Sequence, residues 1–155
     1  MATLRVTHTE DIILEGKQQG SSKGMLFENI SDVYSRVFSF KQGTITSLYT
    51  THADTVSGAV FDDGSVKYVR ITNLGTEPIV INVLAETSNM AYAYEIQQFQ
   101  SYYLYSHSVS TIADDGDAIT ASEMGGSLVD IDEVKAYCHR ATGKVEVFVA
   151  SIDAK

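Results

Sequence analysis

An all-β chain, folding as an antiparallel β-sandwich of jelly-roll type with an extended N-terminal arm, is the fold class this sequence predicts. Three observations carry that prediction. Nine Tyr and six Phe stand beside many Val, Ile and Thr, residues that suit a pleated, half-buried surface. Turn signals recur at short intervals, as in sandwiches of many short strands. No long segment carries the 3.6-residue apolar period of an amphipathic helix.

Leu4–His8 and Ile12–Leu14 read as short extended pieces. Residues 16–24 are rich in Gly, Ser and Lys, the composition of a flexible segment. They read as an arm that orders against a neighbour, or as a solvated surface loop. The chain therefore divides into an arm with the first short strands, residues 1–30, and a sandwich domain, residues 31–155.

Val33–Phe40, a turn at Lys41-Gln42-Gly43 and Thr44–Thr51 are expected as a hairpin. Gly58–Phe61 and Val66–Asn73 are expected as a second, with Asp62-Asp63-Gly64 supplying the positive φ of a tight turn. The one Pro, Pro78, stands at the entrance of Ile79–Ala85, where a missing N–H does least harm. Ala91–Gln97 and Tyr102–Val109 follow. Residues 112–126 are the longest expected loop, with room for one helical turn at Ala118–Met124. Val134–His139 and Val145–Ile152 are expected as a closing hairpin around Ala141-Thr142-Gly143-Lys144. Both faces of the last strand are largely apolar, which predicts a central position.

Composition excludes several functions. The chain has 155 residues, 11 Lys+Arg against 20 Asp+Glu, and a net charge of -9, the opposite of the basic footprint a duplex-binding protein needs. A single Cys excludes an intrachain disulfide framework and a Cys-cluster zinc site. At 44% hydrophobic residues the chain is not disordered by composition. No apolar run approaches the ~18 residues of a membrane span, and Met1–Arg5 lacks the basic-then-apolar layout of a signal peptide. Neither nucleic acid nor membrane is an expected partner.

Candidate chemistry is sparse. Asp114-Asp115-Gly116-Asp117 is the densest acidic run but lacks the EF-hand spacing, and turn chemistry accounts for it. Asp130 and Asp132 flank Ile131 and are expected on one strand face, with no cleft implied. His8, His52, His107 and His139 have no partner at ligand spacing except Cys138, which points to the opposite face from His139. A histidine ring around an oligomer axis is the remaining route to a metal site. Cys138 alternates with Ala136 and reads as a small buried residue. Gly125-Gly126-Ser127 resembles an anion nest without a following helix or Lys. No catalytic residue, cofactor or metal site is expected, and a hydrolase is a remote alternative.

The compositional oddity is Tyr92, Tyr94, Tyr102, Tyr103 and Tyr105. Such a cluster fills sandwich cores and subunit interfaces, or stacks sugars. The absence of Trp favours core or interface over a carbohydrate-binding module. With Lys17 and Lys23 of the arm, these tyrosines are the candidate interface residues.

Val66-Lys67-Tyr68-Val69-Arg70-Ile71-Thr72-Asn73-Leu74-Gly75 resembles a strand of small structural proteins of tailed bacteriophages, those of cyanobacteria and marine bacteria above all. Ile30–Phe38, Ile79–Leu84, Gln100–Tyr105 and Val145–Ser151 are similar to further strands of that family, in order. One departure is Gln100-Ser101, where the family's turn usually carries Gly. The resemblance implies a non-enzymatic virion component. The favoured expectation is a capsid decoration or cement protein on the outer capsid surface, a homo-oligomer, preferably a trimer, bound to the major capsid protein. A tail, neck or fibre component is the alternative.

Overall fold

The computed structural model describes residues 1–51, 59–61, 64–85, 90–106, 108–109 and 129–152. The sequence expectations for Asp62-Asp63, His52, His107, the acidic run at 114–117, the helical turn at 118–124 and Gly125-Gly126-Ser127 lie outside these residues.

Every regular element among the described residues is a strand. In chain order they are β1 (Ala2–Thr9), β2 (Ile13–Leu14), β3 (Lys17–Gln18), β4 (Ser22–Ile30), β5 (Asp32–Phe40), β6 (Thr46–Thr50), β7 (Ala59–Val60), β8 (Val66–Asn73), β9 (Ile79–Ala85), β10 (Met90–Ile96), β11 (Ser101–Leu104), β12 (Ser108–Val109), β13 (Val129–Asp130), β14 (Glu133–Tyr137) and β15 (Gly143–Ser151). One large sheet has the order β10-β9-β14-β6-β7, the other β11-β8-β15-β5. Neighbours run antiparallel except β6 and β7, which are parallel. The all-β expectation and the antiparallel pairing hold.

Alternation along each strand builds the core between the two sheets. Val69 and Ile71 of β8 and Val145, Val147 and Val149 of β15 meet Ile79, Ile81 and Val83 of β9 and Val134 and Ala136 of β14 in one buried cluster. Phe38 and Phe40 of β5 and Leu48 and Tyr49 of β6 extend it. β15 lies between β8 and β5, the central position its two apolar faces predict. Pro78 precedes β9 directly. Cys138 is buried in the same cluster, its thiol donating weakly to the Pro78 carbonyl.

Three expected hairpins are corrected. β5 and β6 belong to different sheets, as do β14 and β15. β7 pairs with β6, not with β8. The turns between β5 and β6 and between β14 and β15 carry the chain from one sheet across to the other. Glycine and aspartate signal a reversal of direction, and the same local chemistry serves an in-plane hairpin and a corner between layers. β9 and β10, by contrast, are a true hairpin pair.

The first 30 residues also differ from expectation. They form one long β-hairpin, not a single extended arm: β1 pairs with β4, and the bonds continue through Glu10–Ser21 and Ile12–Gln19 to β2 and β3. The Gly/Ser/Lys stretch is its returning strand. The tip reverses at Glu15 and Gly16, with φ of 51° and 74°, the left-handed pair of a type I′ turn. Near the base, Asn29 at φ 61° lies in a bulge between the Ala2–Ile30 and Leu4–Phe27 pairs. The bulge lets Phe27 and Ile30 both turn inward. The hairpin lies against the outer face of the β8–β15 sheet, where Leu4, Val6, Phe27 and Ile30 pack on Tyr68, Tyr103, Phe148 and Ala150.

Candidate interaction surface

Alternation separates the candidate tyrosines. Tyr102 and Tyr103 are adjacent on β11 and therefore point to opposite faces. Tyr92, Tyr94 and Tyr102 gather where the edge strands β10 and β11 meet. The Tyr92 and Tyr102 hydroxyls are hydrogen-bonded at 2.8 Å, and the Tyr94 and Tyr102 rings lie 5.2 Å apart. Burial raises the Tyr102 phenol above its ordinary range, and the Tyr92 hydroxyl adds to this. Tyr49, fully enclosed behind them, is raised by burial first and by Tyr92 second. Tyr92 and Tyr102 pack against the main core, so this group is largely sandwich wall.

Tyr103 and Tyr105 sit on the outer face of the same sheet, under the hairpin. Their rings are near-parallel, 3° apart in plane and 6.2 Å between centroids. His8 of β1 meets the Tyr103 ring edge-on at 4.7 Å, and its Nε2 is hydrogen-bonded to the Tyr105 hydroxyl at 2.8 Å. Burial raises the Tyr105 phenol, and Tyr103 adds to the shift. These side chains fasten the hairpin to the sheet. Lys23 is exposed on β4, across from His8, and Lys17 is exposed at the tip.

Tyr92, Tyr102 and Tyr103 thus serve as wall and fastening, Tyr94 and Tyr105 stay exposed at 56% and 44%, and further exposed apolar surface lies at the hairpin tip. Ile12, Ile13 and Leu14 at the hairpin tip are all more than half exposed, Ile13 at 69%. A run of three exposed apolar residues exceeds what a surface hairpin needs for folding. That run is visible in the sequence, because an amphipathic strand would alternate.

A second surface is the outer face of the β9–β14 sheet, which the hairpin leaves bare. Val80, Asn82 and Leu84 of β9 and Lys135 and Tyr137 of β14 line a groove of about 650 Å³, with Ile45 exposed at its side. Lys135 pairs with Glu133 at 2.7 Å. Tyr137 meets His139 edge-on at 4.4 Å. His139 is exposed while Cys138 is buried, so the two share no site.

Asp130 and Asp132 do not share a strand face. Asp130 is exposed at the end of β13, and Asp132 is buried in the connection to β14, where strand alternation does not apply. Among the described residues no group of three or more His, Cys, Asp or Glu is placed to hold a metal ion. No helix among them is long and apolar enough to cross a membrane.

The motif Tyr68–Asn73 resolves into architecture. Tyr68 lies under the hairpin, and Val69 and Ile71 enter the core. Arg70 pairs with Glu146 at 2.7 Å and lies 5.7 Å above the Phe148 ring. The Thr72 and Ser101 hydroxyls are 2.8 Å apart. Buried Asn73 accepts from the Gly75 N–H and donates to the Glu77 and Ile96 carbonyls. In the β10–β11 turn Phe99 takes the left-handed conformation at φ 60°, with its ring exposed.

No family model matches this chain, and no curated protein matches it. Among solved structures it is similar to one titled "Crystal structure of PirA", at 12% identity and a TM-score of 0.46, covering 77% of this chain and 94% of that one.

Proposed function

We propose that this chain is a non-enzymatic structural protein of a tailed-bacteriophage virion, a capsid decoration or cement protein that bridges major capsid subunits. The observation that carries the reading is the hairpin tip. Ile12, Ile13 and Leu14 are held in solvent by a hairpin whose base is packed on its own sheet. Contiguous exposed apolar side chains mark a contact surface for another macromolecule. Residues 1–30 then act as the docking arm and residues 31–155 as the sandwich that carries it.

The strand order supports a jelly roll. With β5, β6, β8, β9, β10, β11, β14 and β15 numbered one to eight, the facing sheets run 1-8-3-6 and 2-7-4-5. That order is two interleaved Greek keys. The net charge of -9 favours the outer capsid surface, away from packaged DNA. The resemblance of the Tyr68–Asn73 strand to phage structural proteins points the same way.

The mechanism is mechanical. Apolar side chains leave water against neighbouring copies and against capsid subunits, a gain of roughly 25 cal/mol per Å² before entropy costs. Each contact is small, and a homo-oligomer, a trimer preferably, multiplies it by avidity. The test is to strip the protein from particles and add it back. Wild type should rebind and restore resistance to heat and osmotic shock, and Ile13→Asp should do neither. Genome release unchanged by stripping overturns the cement role, and a handful of copies per particle assigns the protein to the tail or neck.

A further inference from the structure

We propose that copies of this chain associate head to tail, the acidic apolar hairpin tip of one copy seating in the apolar groove on the outer face of the β9–β14 sheet of the next. The inference deepens the homo-oligomer part of the proposed function and rests on it.

Placement requires a second copy. The hairpin packs on the outer face of the β8–β15 sheet, and the groove lies on the outer face of the opposite layer. A chain therefore presents its tip and its groove on opposite sides, and its tip does not fill its own groove.

Size and chemistry match. The tip offers three large aliphatic side chains, with Ile13 and Leu14, adjacent on β2, on opposite faces. The groove, about 650 Å³, is walled by Val80, Leu84 and Tyr137, with Ile45 66% exposed beside it. Charge is complementary as well. Residues 10–18 hold Glu10, Asp11 and Glu15 against Lys17, three negative charges to one positive. Lys135 and His139 line the groove, and the turns that supply its Gly43 and His139 also hold exposed Lys41 and Arg140, joined by Gly43 N–H to Cys138 O and by Gln42 Nε2 to His139 O. In a chain of net charge -9, these two cations beside the lining turns favour an acidic partner.

The interface is heterologous, because tip and groove are different surfaces. Such contacts close into rings when the rotation allows. Three side chains cover less than the ~800 Å² per partner of a standard stable interface, so one contact alone is weak. Closure adds contacts without new surface, which is how a small tip supports a stable oligomer.

Two single variants test this, both at exposed positions where folding is not at stake: Ile13→Asp removes the tip, and Ile45→Asp poisons the groove. Sedimentation velocity should show a concentration-dependent oligomer for wild type and monomers for each variant alone. Mixed in equal amounts at about 1 mM, the two variants should pair weakly through one contact and form no closed ring, since one still has its groove and the other its tip. A wild-type protein that stays monomeric at about 1 mM, the weak end of measurable association, overturns the inference. So does an oligomer that both variants leave intact, or a mixture that fails to pair. Monomeric wild type that still rebinds stripped particles overturns this contact and leaves the decoration role standing. An oligomer that obeys the variants but ignores particles supports the contact and overturns the decoration role.

Discussion

The side-chain amide of Asn73 joins three segments: its own β8–β9 turn through Glu77 and Gly75, the end of β10 through Ile96, and, by its backbone, the β10–β11 turn at Phe99 and Gln100. Asn73→Ala leaves buried carbonyls without a donor, so chemical denaturation should report a loss of about 2–4 kcal/mol. Gly143 plays a different part. A methyl group there would lie 2.2 Å from the Phe40 ring, which is buried in the main core. Gly143→Ala should therefore lower stability by about 1–3 kcal/mol, and combining it with Phe40→Leu should recover part of the loss. If the two effects simply add, the steric account is wrong. Both residues are plain in the sequence, Asn73 as the end of a distinctive string and Gly143 as a turn residue. Their partners are not, because those lie in segments distant along the chain.

At the scale of elements, strand positions were legible and pairings were not. Val33–Phe40, Val66–Asn73 and Val145–Ile152 fall within a residue or two of β5, β8 and β15. These three strands are neighbours in one sheet, yet nothing local in their turns announces it. The N-terminal hairpin illustrates the same limit from the other side. Its Gly/Ser/Lys composition reads as flexible, but Leu4, Val6 and Phe27 find an apolar sheet face built from β8, β11 and β15. That packing stabilises the hairpin where intrinsic propensity does not. Phe27→Ala should loosen it locally, at a cost of about 1–3 kcal/mol. Amide exchange should accelerate in β1 and β4 while β9 and β14 stay protected. Equal acceleration in β9 and β14 would mean that hairpin and sandwich open as one unit.

For the whole molecule, the enclosed tyrosines set an alkaline limit. Burial raises Tyr49 and Tyr102 above their ordinary value of 10.0, so the folded state favours the neutral phenols. Their contribution is complete below pH 10.0 and is lost as pH rises beyond it, because the unfolded chain then gains by ionising. The melting temperature should fall above about pH 10. Phenolate absorbance should show part of the tyrosine set titrating only as the protein unfolds, and Tyr49→Phe should shift that fraction. Full titration of every tyrosine in the folded state would contradict the burial account.

The sequence by itself determined the strand content, the central place of the last strand and the burial of Cys138, because two-residue alternation and side-chain volume act over a few neighbouring residues. It also displayed the apolar tip, as three residues that do not alternate. Only the tertiary structure decided which strands are neighbours, which of Tyr102 and Tyr103 faces the core, and which outer sheet face the hairpin covers. Those depend on register between segments far apart in the chain, and register is settled by the packing of two whole sheets and one hairpin against each other.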